Sequence, residues 1–259
     1  MKEYSICITT FSKREEMCCS LIQYISEHAP NIDIIVAING DNELKMDEGY
    51  RSRFLSFCSK IPRCYPIVCP EFKSLAKIWN TLVIFSNTNY NLICNDDIEI
   101  VNPTCFKNIK DVINQTSHEL FTINGGWSHY MITKQLLHEL GYFDERLIAF
   151  GEEDGDMVYR FIKKYKKKVP VYKVEGFRNV CAYDKSDTKI DVHVDNKPRF
   201  NREFINLKYK YDDNGIYGMS PIPVIQVLDD FSQYPYEIFN IKNKHNIKKF
   251  KSVTIEYEN

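Results

Sequence analysis

Two acidic runs carry most of the chemistry that this 259-residue chain can offer. The first, Asn95-Asp96-Asp97-Ile98-Glu99, follows the apolar stretch from Asn91 to Cys94, where a buried strand leaves the core. Hard oxygen donors at such a point suit Mg²⁺ or Mn²⁺ bound together with substrate phosphates, because Mg²⁺ keeps its waters and accepts few protein carboxylates. If the strand ran on through the pair, Asp96 and Asp97 would point to opposite faces and one alone would meet a cleft. Taken by itself the run also fits a solvated acidic turn. The second run, Gly151-Glu152-Glu153-Asp154-Gly155-Asp156, packs four carboxylates into five residues and is followed by Arg160. Their mutual repulsion calls for a cation, a helix N-terminus or a substrate. A helix starting here turns its positive end toward them, and a carboxylate held ionised in this way is a general base for a hydroxyl. Helix capping accounts for one or two of these acids and not for all of them.

The elements that must position these runs are legible in the spacing of apolar residues. Tyr4 to Thr10 is β-rich, and Ser12-Lys13-Arg14-Glu15 has the spacing of a capping box. Met17, Leu21, Tyr24, Ile25 and His28 continue at helical spacing until Pro30, and Ile32 to Ile38 is the unbroken β-branched run of a strand covered on both faces. It ends in the turn signal Asn39-Gly40-Asp41. This strand, helix and strand form a βαβ unit, so the fold class is α/β with a Rossmann-like, mainly parallel central sheet flanked by helices. Further along, Val68 marks a short strand, Leu75, Ile78, Trp79, Leu82 and Val83 trace a helix face, and Asn91 to Cys94 is a strand. A helix follows Pro103, then a strand over Leu120 to Ile123, a helix over Thr133 to Leu140, and a last helix through Met157, Val158, Phe161, Ile162 and Tyr165. Ligands of open parallel sheets bind beyond the carboxyl ends of the strands, where both Asp41 and Asp96-Asp97 fall.

Composition excludes several classes. Apolar residues make up 44% and charged residues 27%, with only 10 Gly and 10 Pro, which fits a folded globular chain and neither a disordered nor a fibrous one. Its net charge of -1 supplies no general field for nucleic acid. No secretion signal and no apolar run of bilayer length are expected. Nine cysteines without a CxxC spacing read as buried small hydrophobes in a reducing, cytoplasmic setting. From Asp184 on the periodicity fades. We place a main domain over residues 1–211, with halves at 1–101 and 102–211, and a C-terminal extension at 212–259. Its tail interleaves Lys242, Lys244, Lys248, Lys249 and Lys251 with Ile241, Ile247 and Phe250, a pattern suited to anionic lipid at the inner membrane face or to an acidic partner, and also to a solvated terminus.

Together the segments SICITTFSKREEM, IDIIVAINGDNE, the helix with Trp79-Asn80, ICNDDIEI and GYFDERLIAFGEEDGDMVYRF resemble the inverting family 2 glycosyltransferases of GT-A fold. The resemblance covers residues 4–170 and, more weakly, Asn201-Arg202-Glu203-Phe204. It implies a nucleotide-diphosphate sugar donor, a glycan or lipid-linked sugar acceptor, and a divalent cation, Mn²⁺ or Mg²⁺, with residues 1–101 as the nucleotide-sugar-binding half and 102–211 as the acceptor-side half. Asp97, supported by Asn95 and Asp96, would hold the cation on the donor diphosphate, with His193 a candidate further metal ligand that also fits an ordinary surface histidine. Thr9, Thr10, Phe11, Asn39, Asp41 and Asn80 would bind the nucleotide sugar. Asp154 would be the catalytic base, Glu153 would bind an acceptor hydroxyl beside it, and Asp156 would cap the helix or pair with Arg160. Trp127 could form an acceptor platform or pack in the core. Two departures stand out: the metal turn begins with Asn95 where Asp is commoner, and Ile38 occupies the position of an acid that contacts the nucleobase in many relatives, a role open to Asp41. Such transferases often build bacterial capsule, lipopolysaccharide or protein glycans. The rival readings are a metal-dependent phosphoesterase, which would need two metals about 4 Å apart, and a non-catalytic sugar- or nucleotide-binding domain on the same fold.

Overall fold

The computed structural model describes residues 3–40, 46–70, 72–147, 150–180, 201, 202, 205 and 208. Asp41, His193 and the extension at 212–259 lie outside the described residues. The strands are β1 (Tyr4–Thr10), β2 (Ile34–Asn39), β3 (Cys64–Cys69), β4 (Tyr90–Asn95), β5 (Ile98–Ile100), β6 (Leu120–Ile123), β7 (Gly126–Thr133), β8 (Val171–Tyr172) and β9 (Phe177–Asn179). The α-helices whose bounds lie among the described residues are α1 (Glu15–His28), α2 (Glu48–Cys58), α3 (Leu75–Phe85), α4 (Thr104–Thr116), α5 (Lys134–Leu140) and α6 (Glu153–Tyr165). The described residues pack as two compact units interleaved in sequence, one built on those within 3–73, 81–136 and 170–180, the other on those within 74–80 and 137–169 with Asn201, Arg202, Ile205 and Lys208.

The first unit holds a seven-stranded sheet in the order β3-β2-β1-β4-β7-β6-β8. β1 runs parallel to β2 and β4, and β2 parallel to β3, as the βαβ reading requires. β7 is antiparallel to both β4 and β6. The β-branched runs fill the interior: Ile6, Ile8, Val36, Ile38 and Leu92 are within 1% of complete burial, and they join Leu21, Ile22 and Ile25 of α1 in the main apolar cluster. A continuous apolar strand is stable only under such two-sided cover, which is why these segments could not form an exposed hairpin.

Two local expectations are corrected. The capping box does not open the first helix: Ser12–Arg14 form a short 3-10 turn and α1 starts at Glu15. The carboxylate that would complete the box is held instead by Arg53, whose Nη2 lies 2.6 Å from Glu15 Oε2. The helix expected from Thr133 begins at Lys134, because Thr133 ends β7 and its hydroxyl accepts the Leu136 N–H at 3.1 Å. The hairpin joining β6 to β7 turns on Asn124 and Gly125, with φ of 56° and 81°, the left-handed pair that a tight two-residue turn needs.

A second, two-stranded sheet pairs β5 with β9. It ties down the acidic turn from behind, since Val180 N–H donates to Asp97 O at 2.8 Å and Val101 N–H to Gly176 O at 2.8 Å. Gly176 has φ +101°, and a Cβ there would lie 2.6 Å from the carbonyl oxygen of Asn102. Backbone cannot retreat as a flexible side chain would, so Gly176→Ala should lower stability by more than about 1 kcal/mol. The check is the urea midpoint at unchanged slope; an unaltered midpoint would contradict this close approach. Among the described residues, no helix is long and apolar enough to cross a membrane.

Candidate active site

In the first unit, strand register gathers the expected donor-side residues at one sheet edge. Thr9 of β1 lies opposite Asn95 of β4 and Ala37 of β2, and Asn39 ends β2 beside Cys69 of β3. β7 reaches the same edge from the opposite direction, with His129 across from Cys94. Thr9, Phe11, Asn95 and Trp127 are half-buried, and Thr10 is buried. Trp127 packs against buried Tyr130 with ring centroids 4.7 Å apart, so it combines a core contact with partial exposure. Asn39 differs from the expectation of a free donor contact. Its amide donates to Lys73 O and accepts from Lys73 N–H, both at 2.9 Å, which fixes the loop after β3.

The acidic turn also differs from its sequence reading. Asp96 and Asp97 keep 3% and 8% of their exposure, so neither is solvated. The strand breaks at this pair, and both carboxylates therefore face the same partner: Arg14 Nη1 lies 2.8 Å from Asp96 Oδ1 and 3.4 Å from Asp97 Oδ2. Burial pushes the Asp96 carboxyl up to about 6 even against the opposing pull of Arg14. Oδ2 of Asp96 and Oδ1 of Asn95 have no hydrogen-bond partner among the described residues. Unsatisfied hard oxygens at a buried turn fit a divalent cation of the Mg²⁺ or Mn²⁺ type. Among the described residues no cluster of three or more His, Cys, Asp or Glu forms a metal cage, and such a cation does not require one when phosphates complete its shell.

His129 was not singled out in the sequence, where nothing local marks it. It is buried, stacks on Phe177 at 5.2 Å and 12°, and shares a 3.0 Å hydrogen bond with Ser128 through Nδ1. Burial lowers it to about 4, so the ring is neutral at pH 7.

In the second unit the Phe-Asp-Glu and Glu-Asp-x-Asp segments form one buried charge network. Lys208, fully buried, bridges Asp144 Oδ2 at 2.7 Å and Asp156 Oδ1 at 2.6 Å. Arg146 closes on the other side of Asp144, with Nε 2.9 Å from Oδ1. Arg160 binds Asp156 Oδ2 through Nε at 3.0 Å and donates to the carbonyls of Leu140, Gly141 and Tyr142, capping α5. Burial alone would raise both acids, yet Arg146 and Lys208 hold Asp144 well below the usual range, and Lys208 and Arg160 lower Asp156. Burial lowers Lys208 to about 8 despite its two acidic neighbours. Asn80 supports the same segment. Its amide accepts from Phe143 N–H and donates to Phe143 O and Glu145 Oε1, each at 2.9 Å. Fully buried and committed to these bonds, Asn80 is a brace for residues 143–145 and does not present its amide to a donor as expected.

The turn into α6 is left-handed twice, at Gly151 (φ 103°) and Glu152 (φ 76°). Glu152 is anchored by Arg202 Nε at 2.7 Å, and Asn201 donates to Gly151 O at 2.9 Å. Glu153 folds back to accept the Gly151 N–H at 2.6 Å and keeps 2% exposure. Burial pushes it up to about 8. It was expected to touch the acceptor; its carboxyl is turned inward because the strained turn supplies a backbone donor there. Of the four acids between 152 and 156, Asp154 is the one that is not buried.

Residues 67–178 match the family model described as glycosyltransferase like family 2. Among the solved structures that the chain resembles are the following three. TarS of S. aureus, residues 1–349 in complex with UDP, is 12% identical at TM-score 0.51, covering 68% of this chain and 59% of that one. The mannosyltransferase PcManGT from Pyrobaculum calidifontis, in complex with GDP-Man and Mn²⁺, is 11% identical at TM-score 0.52, covering 66% and 55%. Glucosyl-3-phosphoglycerate synthase from Mycobacterium tuberculosis, in complex with Mn²⁺, UDP and glucosyl-3-phosphoglycerate, is 10% identical at TM-score 0.57, covering 80% and 79%. The chain thus spans a little over half the length of the first two. No curated protein sequence matches it. Residues 67–178 thus resemble that family, and the fold is GT-A.

Two measurements check the acid network. Lys208→Met would leave Asp144 and Asp156 without their shared cation and should cost about 3–5 kcal/mol in denaturant unfolding; a loss under about 1 kcal/mol would mean that the bridge is not formed. Glu153 binds its proton more tightly folded than unfolded, so its ionisation removes stability as pH rises from about 4.5 to about 8. Glu153→Gln should therefore gain on the parent across that window, by at most about 1.4 kcal/mol per pH unit. Parallel stability curves for the two proteins would refute the buried, protonated assignment.

Proposed function

We propose that the protein is a metal-dependent, inverting glycosyltransferase that moves a sugar from a nucleotide-diphosphate donor to a hydroxyl of a glycan or other sugar acceptor. The observation that carries this reading is the exposure pattern of the acidic helix start: Glu152, Glu153 and Asp156 are buried and Asp154 is half-buried. A general base must reach the proton that it abstracts. Asp154 lies in the first turn of α6, where the helix N-terminus favours its ionised form.

Asp154 takes the proton from the acceptor hydroxyl as its oxygen attacks the anomeric carbon; the bond from that carbon to the diphosphate oxygen breaks, and the nucleoside diphosphate leaves with inversion. Asp97 and Asp96, with Asn95, would hold a Mn²⁺ or Mg²⁺ ion, whose chemistry is to neutralise charge on the departing diphosphate. Thr9, Thr10 and Phe11 close the same sheet edge and suit contacts to the nucleotide. Trp127, half-buried on β7, suits stacking with a sugar ring. The acids that flank Asp154 act on the turn and the network, which leaves one carboxylate for chemistry.

General-base catalysis is worth roughly 10² to 10⁴ in rate. Asp154→Asn should lower turnover of a nucleotide sugar with acceptor by about that factor and leave UDP or GDP binding unchanged, while Asp97→Asn should abolish the metal dependence of that binding. Near-normal turnover in Asp154→Asn together with loss in Glu153→Gln would move the base to Glu153 and overturn the assignment.

A further inference from the structure

Arg14 stands on the carboxylates that the proposed function gives to a divalent cation. Its Nη1 contacts one oxygen of each, at 2.8 Å from Asp96 and 3.4 Å from Asp97, and the side chains of Arg14, Asp96 and Asp97 keep 16%, 4% and 12% of their exposure. This pair is withdrawn from water and is not a screened surface contact. The guanidinium also lies over the Phe11 ring, 5.5 Å from its centroid. Residue 14 is placed there by the 3-10 turn that replaces the expected helix start, with Arg14 N–H donating to Phe11 O at 3.0 Å.

The buried carboxylates need positive charge nearby, and the guanidinium supplies it. A divalent cation on the same oxygens would leave guanidinium and metal in mutual repulsion, so one of them has to move. A diphosphate changes that balance in two ways. It brings oxygen ligands that the cation requires, and it offers the displaced planar guanidinium a charge-assisted, bidentate partner of the kind Arg binds best.

We propose that Arg14 is a positioning residue that competes with the divalent cation for Asp96 and Asp97, and so makes cation binding depend on the diphosphate of the donor. The idea rests on the metal reading of the Asn95–Asp97 turn. It predicts a chain that binds bare metal weakly and metal with nucleotide tightly. Coupling between two ligands is reciprocal, so the loss of Arg14 should raise affinity for bare metal and reduce both the help that nucleotide gives to metal and the help that metal gives to nucleotide.

The test is Mn²⁺ binding to the full chain, read from the electron paramagnetic resonance signal of free Mn²⁺, with and without UDP. Arg14→Gln should bind Mn²⁺ alone more tightly than the parent, by a factor within the roughly 5- to 150-fold span of such couplings, and UDP should improve its Mn²⁺ affinity correspondingly less. Phe11→Leu removes the ring under the guanidinium and should shift bare-Mn²⁺ affinity in the same direction by a smaller factor; it decides the matter if Arg14→Gln does not melt cooperatively. Unchanged or weaker Mn²⁺ binding in the variants, with the UDP effect intact, would overturn the role of Arg14 while leaving the metal turn standing. No Mn²⁺ binding by any of the proteins, even with UDP, would overturn the metal turn itself and this proposal with it.

Discussion

Asp144 and Asp156 can stay ionised in a protein interior only because Lys208 joins them and Arg146 and Arg160 close the outer sides. The desolvation of two carboxylates in apolar surroundings costs several kcal/mol each, about what is typical of buried ions, and loss of one partner exposes that cost. Much of the second unit is arranged by this constraint. Arg160 reaches its acid from the same helix and simultaneously ends α5 through three carbonyls. Asn201 and Arg202 hold the left-handed turn before α6. With Asp156 engaged inward, the helix rotation that follows leaves Asp154 outward, so the chemistry proposed for Asp154 is a consequence of how its neighbours are neutralised.

The first unit solves a different problem, that of pinning strand ends whose backbone runs out of ladder partners. Three asparagines among the described residues, one of them in the second unit, use the same device: the side-chain amide donates to the carbonyl of a distant residue and accepts from its N–H. Asn39 does so with Lys73, Asn124 with Val174, and Asn80 with Phe143. Each pair works like one rung of a β ladder and satisfies backbone groups that would otherwise be unpaired in a loop. The acidic turn after β4 is fixed in its own way, by Val180 on the Asp97 carbonyl and Arg14 on the carboxylates.

The central sheet, the parallel order of its first strands and the two acidic runs were legible because each rests on local pattern: unbroken β-branched stretches, helical spacing, and acids adjacent in sequence. β7 was not, because Trp127, Ser128 and His129 interrupt any simple alternation, although the Asn124-Gly125 pair before it was a readable hairpin signal. Arg14 was absorbed into a capping box, since its real partner lies 82 residues away. Lys208 sits where periodicity has faded, and its partners are 64 and 52 residues distant. Asn80 was given a ligand on the strength of the family resemblance, and its brace to Phe143 spans 63 residues. Long-range polar contacts leave no period in sequence, and they separate the residues that support this site from those that would touch substrate.

The central claim is that the chain cleaves a nucleotide sugar between the anomeric carbon and the diphosphate. It is tested most directly by incubating the protein with UDP- and GDP-sugars and Mn²⁺, with and without a panel of glycan acceptors, and identifying the nucleotide released. The account predicts nucleoside diphosphate, formed slowly without acceptor and rapidly with the matching one, and dependent on the cation. Nucleoside monophosphate with sugar phosphate would place the cut within the pyrophosphate and contradict it.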